Sequence, residues 1–372
     1  MKNLVEKIKN KKRLNYDESL GLYELDLYTL GALANERRVE LHGNKVFYNL
    51  NRHINPSNLC ADTCKFCAFS AHRKNENSYT LGFDEIMQIA QNAQEGGADE
   101  VHIVSAHNPF IKPDETFGVF RAIKQKFPSL HIKAMTAAET HFMSRKFNLS
   151  YEQVIERMID SGVDSMPGGG AEIFDESVRE QLCAGKVSSE NWLKIHSLWH
   201  QKGRQSNATM LFGHIESRAN RIDHMLRLRG LQDESLERNN GGKFNAFIPL
   251  VYQTQNNYLE GITPLSSEEY LKTIAIARLV LDNIAHIKAY WATSTLGLAM
   301  VAQDFGSDDI DGTIGHERIQ SAAGAKSKAG KAQSEFIELI ETSGKIPVRR
   351  DSLYNEICEG NPSKSKYKYT IC

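Results

Sequence analysis

The feature that most constrains the fold of this chain is a regular alternation of short, strand-like apolar segments with longer helical segments. The strand-like segments lie at 46–50, 100–104, 130–135, 163–166, 207–212, 244–249, 286–291 and 309–311, and the helical ones at 84–95, 114–126, 150–161, 188–202, 217–233, 267–283 and 295–304. Eight strands separated by helices predict a parallel sheet closed as a (β/α)8 barrel of the TIM type. An open, doubly wound sheet is the alternative, but no Gly-x-Gly-x-x-Gly run follows the first strand. In a barrel, functional groups are expected at the carboxyl ends of the strands.

Segments on either side of the barrel give the chain three regions. Residues 1–42 are predicted to be a helical extension, with Asp17 as a helix cap and Gly43 as its end. This extension should pack over the bottom or the side of the barrel, which spans 43–325. Residues 326–372 then comprise a helix at 328–343 and a polar tail at 361–366.

The composition is that of a soluble globular protein. Of 372 residues, 41% are hydrophobic and 24% are charged, and the formal net charge is −1. This balance gives no electrostatic case for nucleic acid or an acidic membrane surface as a partner. The longest apolar runs are too short to span a membrane, and the N-terminus is too charged for a signal peptide. The sequence therefore predicts a cytoplasmic protein, in a compartment that keeps thiols reduced.

Three of the six cysteines, Cys60, Cys64 and Cys67, lie close together after the first predicted strand. Thiolates are ligands for iron–sulfur clusters, zinc or copper(I). A closed zinc site or an ordinary electron-transfer cluster takes four protein ligands, but the next cysteine along the chain is Cys183. The spacing therefore suggests a cluster with one iron left open for an exogenous ligand.

Two alternatives remain open for these cysteines. They can pack as small hydrophobic residues, or they can bind zinc with His53 or His72 as the missing ligand. The other cysteines, Cys183, Cys358 and Cys372, are scattered singly. A second cluster needs several cysteines close together, so these three are predicted to be structural or idle.

The pattern C-x-x-x-C-x-x-C, with Phe66 before the last cysteine, resembles the signature of the radical S-adenosylmethionine (SAM) enzymes. The resemblance implies that Cys60, Cys64 and Cys67 bind a 4Fe–4S cluster. It implies that the open iron binds the amino and carboxylate groups of SAM. It also implies reductive cleavage of SAM to a 5′-deoxyadenosyl radical, which requires an external one-electron reductant such as flavodoxin or ferredoxin.

Residues at the predicted strand ends are candidates for binding SAM. Glu172 follows three glycines after the fourth strand and is placed to accept from the ribose hydroxyls. Arg179 is a candidate partner for the SAM carboxylate. The resemblance places Glu216 just beyond a strand end that flanks the adenine, Ser105 where a Gly-Gly-Glu-like motif usually holds the amino group, and Phe66 beside the cluster. A solvated turn for Glu172 and a surface position for Arg179 are the structural alternatives.

The resemblance extends over nearly the whole chain and is closest to the branch with the futalosine-pathway menaquinone enzymes and the deazaflavin enzymes. Blocks shared with that branch lie at 66–69, 167–173, 208–216, 228–234 and 247–249. Within it, the segments 51–58, 135–139, 182–189 and 308–313 resemble the aminofutalosine synthase family. The sister cyclase usually has Gln-Gly-Gly after the second strand and Tyr-Arg after Cys-Ala-Phe. This chain has Ser-Ala-His at both positions, 105–107 and 70–72.

This resemblance implies a reaction that consumes SAM. The adenosyl radical adds to the enol-ether double bond of 3-[(1-carboxyvinyl)oxy]benzoate, and the adduct rearranges onto the ring. It then loses the carboxylate carbon as bicarbonate or CO2, giving 6-amino-6-deoxyfutalosine and methionine in menaquinone biosynthesis. The alternatives are a hydrogen-abstracting enzyme, like the cyclase or the deazaflavin synthase, and a non-catalytic iron–sulfur or zinc scaffold protein.

The implied substrate is a dianion, which requires cations or fixed donors at the barrel mouth. Candidates are Arg52, His53 and Asn55 on or just after the first strand, and Lys288 on the seventh. Because side chains alternate along a strand, Arg52 and His53 cannot both point inward. The favoured inward pair is His53 and Asn55.

Overall fold

The computed structural model describes residues 2–71, 75–315, 317–324 and 330–357. Its strands are β1 (Lys45–Asn49), β2 (Asn51–Ile54), β3 (Glu100–Ile103), β4 (His131–Ala134), β5 (Gln205–Phe212), β6 (Lys243–Val251), β7 (His286–Ile287), β8 (Asp309–Gly312) and β9 (Ile346–Arg349). Its helices are α1 (Lys2–Lys9), α2 (Tyr16–Gly21), α3 (Leu27–His42), α4 (Phe83–Glu95), α5 (Pro113–Lys126), α6 (Ala137–Phe147), α7 (Tyr151–Asp160), α8 (Glu176–Cys183), α9 (Ser189–Gln201), α10 (Arg218–Glu237), α11 (Ser267–Val280), α12 (Trp291–Ser294), α13 (Leu296–Ala302), α14 (Ile319–Ala322) and α15 (Gln333–Thr342), with a 3-10 turn at Leu22–Glu24. Within these ranges, none of the helices combines the length and apolar character that crossing a membrane requires.

The strands close into a parallel barrel. β2, β3 and β4 pair side by side, as do β5, β6 and β7, while β1 lies between β8 and β9. Single bridges join these groups: residues 165 and 166 connect β4 to β5, Lys288 connects β7 to β8, and Gly315 connects the end of β8 back to β2. Since β2 continues β1 after one residue, the ring has eight members, and the predicted (β/α)8 barrel is confirmed.

The structure adds elements that the alternation did not predict. The first strand continues through β2 to residue 54, whereas the fourth is reduced to bridges at 165 and 166. Helices α6 and α8 and strand β9 lie outside the predicted strands and helices. The N-terminus of α6 is stabilised by a capping box, in which Thr136 and Glu139 each accept from the other's backbone N–H. This signal is present in the sequence, within the block 135–139 that was singled out for its family resemblance.

The N-terminal extension packs on the side of the barrel, one of the two positions expected for it. The Arg13 guanidinium binds both Asp233 at α10 and Asp282 after α11, at 2.6 and 2.8 Å. The prediction that Asp17 caps a helix is wrong, because Asn15 accepts from the backbone N–H of residue 18 and begins α2. Gly43 ends α3 with a φ of 61°, a conformation that favours glycine.

The C-terminal region contributes to the base of the barrel. Pro347 lies in β9, which among the described residues pairs only with β1 and is an edge strand, where a missing N–H donor is tolerated. The buried Arg350 guanidinium binds Asp309 of β8 at 2.5 Å. Of the predicted C-terminal features, the start of the 328–343 helix and the polar tail at 361–366 lie outside the described residues. The region boundaries at 42/43 and 325/326 stay predictions.

Candidate active site

A cavity of about 290 Å³ opens at the carboxyl ends of the strands and extends into the barrel. Seven residues singled out from the sequence line it: Cys60, Cys64, Cys67, Phe66, Ser105, Glu172 and His53. Five others do not: Arg52, Asn55, Arg179, Glu216 and Lys288. The cavity therefore brings the cysteine loop after β2 together with the glutamate that follows residues 165–166.

Contacts with neighbouring loops hold the cysteine loop in place. The backbone N–H of Ala61 donates to the carbonyl of His107 at 2.9 Å, and that of Lys65 donates to the carbonyl of Leu182 at 2.8 Å. An Asp62 carboxylate oxygen lies 2.7 Å from Nδ1 of His107, so a side-chain contact joins the same two loops. The loop is thus fixed by β3 on one side and by α8 on the other.

The three thiols do not form a closed tetrahedral group in the described ranges, whereas Cys60 groups with Asp62 and His107, whose ligand atoms lie within 4.8 Å of one another. Tetrahedral zinc, with Zn–S bonds of about 2.3 Å, holds its sulfurs about 3.8 Å apart. Within the described ranges, no three cysteine sulfurs lie within 4.8 Å of one another. A 4Fe–4S cluster is wider and takes its thiolates at separate corners, and all three thiols of the loop face one cavity. Of the proposed additional zinc ligands, His53 forms no such group with the cysteines, and His72 lies outside the described residues.

Cys183 lies next to the cysteine loop, although it is remote in sequence. Its thiol lies close enough to that of Cys64 for the two to affect each other's pKa, and both side chains are buried. Because Cys183 does not line the cavity, it lies behind Cys64 and away from the cavity wall. A structural role for Cys183 stays a prediction, and Cys358 and Cys372 lie outside the described residues.

Without a metal, the thiols of Cys60 and Cys64 are held protonated. Burial raises the pKa of Cys60 to about 11. The neighbouring Cys183 thiol, together with burial, raises the pKa of Cys64, while the nearby Lys186 ammonium acts in the opposite direction. Thiols must lose their protons to bind metal, so cluster assembly at this loop has to release them.

The three glycines before Glu172 are required by packing. A Cβ on Gly168 would lie 2.7 Å from the carbonyl oxygen of Asn207, on the adjacent strand. Gly170 has a φ of +90°, and a Cβ there would lie 2.6 Å from Cβ of Ala138. The run therefore lets the loop after residue 166 pack tightly against β5 and α6, and so fixes where Glu172 lies.

Glu172 is a buried carboxylate at the cavity wall. Its φ of 45° is in the left-handed region, which is uncommon for a residue with a side chain and is found at functional sites. Its side chain accepts from the Lys186 ammonium at 2.7 Å. Burial alone would raise the pKa of Glu172, but the ammonium reverses this, and the pKa lies below its ordinary value. At neutral pH, Glu172 is therefore an ionised acceptor.

Two residues predicted to bind SAM face away from the cavity. Arg179 is buried and donates to the carbonyls of Ala171 and Ile173 at 2.5 and 3.0 Å, so its guanidinium braces the loop around Glu172. Glu216 accepts from its own loop's backbone and from Arg221 at 2.7 Å. Although burial opposes it, these partners and His214 lower the pKa of Glu216 to about 2. The strand-end pattern located both residues near the site but could not show their hydrogen-bond partners.

Among the candidates for the substrate carboxylates, His53 alone lines the cavity. Arg52, the preceding residue on β2, does not, as strand alternation predicts. The side chain of Asn55, the other favoured inward residue, donates to a backbone carbonyl after β3 at 3.0 Å. The Lys288 ammonium is paired with Asp311 at 2.9 Å and is not presented to the cavity. Neither Arg52 nor Lys288, the two cations expected on the strands, therefore lines the cavity.

Two lining residues, Lys186 and His102, were not singled out from the sequence. Lys186 follows α8, and its ammonium lies 5.4 Å from the centre of the Phe66 ring as well as against Glu172. His102 lies inside the strand β3, between Val101 and Ile103. A polar residue between two buried apolar ones on a barrel strand indicates an inward position, and that signal could have identified His102.

Comparisons with known proteins identify the family. The model described as "Radical SAM superfamily" matches residues 54–228, and that described as "CofH/MqnC C-terminal region" matches residues 240–360. The chain is 41% identical to the aminodeoxyfutalosine synthase of Thermus thermophilus, and the match covers 95% of each protein. The chain belongs to the radical SAM superfamily. It is a radical SAM enzyme of the futalosine-pathway branch, and its cofactors are a 4Fe–4S cluster and SAM, as predicted.

Other relatives show how broad this branch is. The chain is 36% identical to the cyclic dehypoxanthine futalosine synthase of Streptomyces coelicolor, covering 93% of this chain and 86% of that protein. Among solved structures, methylornithine synthase (PylB) superposes with a TM-score of 0.72 at 18% identity, covering 93% of this chain and 97% of that one. That likeness supports the radical SAM barrel and carries no information about the substrate.

The position of Glu172 gives a testable expectation for SAM binding. Replacing Glu172 by Gln should weaken SAM binding by about 1–3 kcal/mol, because an ionised acceptor for the ribose hydroxyls is lost. This corresponds to an increase in Kd of roughly five- to 150-fold, measured by equilibrium binding to cluster-loaded protein. Glu180→Gln, an exposed substitution on nearby α8, is the matched control. An unchanged Kd in the Glu172 variant would exclude the ribose contact.

Proposed function

We propose that this enzyme is an aminofutalosine synthase that joins the adenosyl group of SAM to 3-[(1-carboxyvinyl)oxy]benzoate. The observation that carries the proposal is the 41% identity, over 95% of both chains, to the relative named aminodeoxyfutalosine synthase. The cavity supports it, because apolar and aromatic side chains for a ring and polar groups for carboxylates line one space. The product is 6-amino-6-deoxyfutalosine, formed with methionine and with loss of a carboxylate carbon as bicarbonate or CO2.

The residues of the chain have distinct parts in this proposal. Cys60, Cys64 and Cys67 hold the 4Fe–4S cluster, which together with SAM supplies a 5′-deoxyadenosyl radical when a one-electron donor such as flavodoxin or ferredoxin reduces it. Glu172 accepts from the ribose hydroxyls, and its pairing with Lys186 keeps the carboxylate ionised although it is buried. By orienting SAM in this way, the protein brings the adenosyl carbon and the enol ether into contact. This removes much of the entropic barrier to their joining.

A barrel cavity also limits side reactions. The site lies between the loops after β2 and after residues 165–166, with Phe66 and Tyr252 among the side chains that line it. Apolar walls of this kind exclude water from a reactive carbon radical. The protein's contribution is thus to position the two reactants and shield them, while the cofactors perform the bond cleavage.

Product analysis by mass spectrometry tests the proposal. Anaerobically reconstituted protein, SAM, a reductant and the enol-ether benzoate should give a product with the mass of 6-amino-6-deoxyfutalosine. Parallel reactions contain dehypoxanthine futalosine, the substrate of the sister cyclase. Turnover of that compound, and none of the enol ether, would make the enzyme a cyclase, and metal binding without any SAM cleavage would make it a scaffold protein.

A further inference from the structure

Two histidines lie side by side in the part of the cavity that is inside the barrel. His53 on β2 and His102 on β3 are register partners, with ring centroids 4.7 Å apart and ring planes inclined at 50°. Both line the cavity, below the loops that carry the cysteines and Glu172. They are therefore placed to contact the end of a ligand that points away from the cluster.

Neither ring is satisfied by the protein. Nε2 of His53 and Nε2 of His102 are buried and have no hydrogen-bond partner in the part of the chain that the structure describes. By contrast, the buried His200 uses both ring nitrogens, on the hydroxyls of Ser235 and Ser206 at 2.8 and 2.7 Å. Buried polar atoms are rarely left unpaired because the loss is costly. The two rings are adjacent and line one cavity, so a ligand group that displaces the packing over these nitrogens can pair with both.

Two ion pairs neutralise most of the charge around the rings. The Lys133 ammonium binds Glu100 at 2.5 Å, and Lys288 binds Asp311 at 2.9 Å. Within the described residues, the carboxylate of Glu317, which also lines the cavity, accepts from backbone N–H groups at 2.8 and 3.1 Å and is not paired with a cation. Burial lowers the pKa of His102 to about 3 and also lowers the pKa of His53. Each imidazole is therefore uncharged at neutral pH and has one N–H to donate. The site offers two fixed donors rather than a cation.

Other walls of the cavity are suited to a flat apolar group. Ile248 and Leu250 from β6 and Tyr290 after β7 line the same cavity. An aromatic ring fits between such side chains, and two donors on neighbouring strands match the two oxygens of one carboxylate. A single hydroxyl or ether oxygen would leave one of the two nitrogens unpaired.

We propose that His53 and His102 together bind the ring carboxylate of an aromatic acid and so set which end of the substrate enters the barrel first. The inference rests on the proposed function, in which that acid is the enol-ether benzoate. The ring carboxylate lies between the two histidines, and the enol ether lies toward the cysteine loop and SAM. His53 and His102 are substrate-positioning residues that select for a carboxylate on the ring.

Binding of a pair of ligands to cluster-loaded protein with SAM and no reductant tests the proposal. The pair is the enol-ether benzoate and its analogue without the ring carboxylate, and calorimetry gives the Kd of each. The native protein should bind the benzoate roughly ten- to 100-fold more tightly than the analogue, as expected for hydrogen bonds to a charged group. In His53→Phe and His102→Phe, the ratio of the two Kd values should fall to about threefold or less. His53→Gln and His102→Gln keep a hydrogen-bond donor and should restore part of that ratio.

Controls separate this inference from the proposed function and from loss of structure. His141→Phe changes a histidine that bonds Tyr151 outside this cavity and should leave the ratio unchanged. Iron content and SAM affinity report whether each variant is folded, and His53→Leu and His102→Leu replace any Phe variant that loses them. If both histidine variants keep the full ratio, water alone occupies these nitrogens and the inference is wrong, even where the native protein forms the proposed product. If the native protein shows neither discrimination nor product, the proposed function fails together with the inference.

Discussion

Replacing Cys60, Cys64 and Cys67 together by alanine should reduce bound iron and sulfide to near background after anaerobic reconstitution. The three thiols line one cavity at the carboxyl ends of the strands, and a 4Fe–4S cluster takes its thiolates at separate corners. With all three removed, the cavity keeps no thiolate for the cluster. Iron and sulfide assays, together with the spectrum of the reduced protein, measure the effect, and SAM cleavage should disappear with the cluster.

The matched control is Cys183→Ala, because Cys183 is the other cysteine thiol found beside this site in the described part of the chain. Its thiol lies next to that of Cys64 but does not line the cavity. The variant should therefore keep its iron, its sulfide and its SAM cleavage, with a modest loss of stability from a small buried cavity. An empty site in Cys183→Ala would show that a fourth cysteine is a ligand, and the arrangement with one open iron would be wrong.

The barrel could be predicted from the sequence because its signal is local and repeated. Apolar segments such as 207–212 and 244–249 are long enough to be recognised as strands, and the structure places β5 and β6 there. The fourth strand could be located but not delimited, since tertiary contacts leave only single bridges at 165 and 166. Strand β9 pairs with β1 across nearly the whole chain, and a four-residue segment that contains a proline carries no local sign of that pairing.

The candidate site, like the fold, could be predicted only where its residues lie close together in the sequence. Cys60, Cys64 and Cys67 are close in sequence, so their spacing alone indicated a shared ligand, and the structure places all three on the cavity. The roles of Arg179 and Lys288 depended on which partner each side chain reaches. Arg179 is bound by carbonyls of its own loop and Lys288 by Asp311, and neither contact can be deduced from the spacing of residues along the chain. His102 was missed because histidine on a strand is usually a packing residue.

The fate of the adenosyl carbon should distinguish the proposed reaction from its rivals. With SAM carrying ¹³C at C5′, the label should enter a nucleoside that contains the benzoate carbon skeleton. Free 5′-deoxyadenosine should be only a minor, uncoupled by-product. The reason is that addition forms a bond between C5′ and the vinyl carbon, whereas an enzyme that abstracts hydrogen releases C5′ as a methyl group in 5′-deoxyadenosine. Liquid chromatography with mass spectrometry measures the label in both compounds from one reaction.

The control for this experiment uses the same labelled SAM with dehypoxanthine futalosine. The proposed enzyme should leave that compound unchanged, because its cavity is expected to orient an enol ether toward the adenosyl carbon. The chain is 41% identical to a relative named aminodeoxyfutalosine synthase and 36% identical to one named cyclic dehypoxanthine futalosine synthase, so sequence similarity alone separates the two candidate functions weakly. Stoichiometric labelled 5′-deoxyadenosine, with no label in a benzoate-containing nucleoside, would place this enzyme with the hydrogen-abstracting members of the branch.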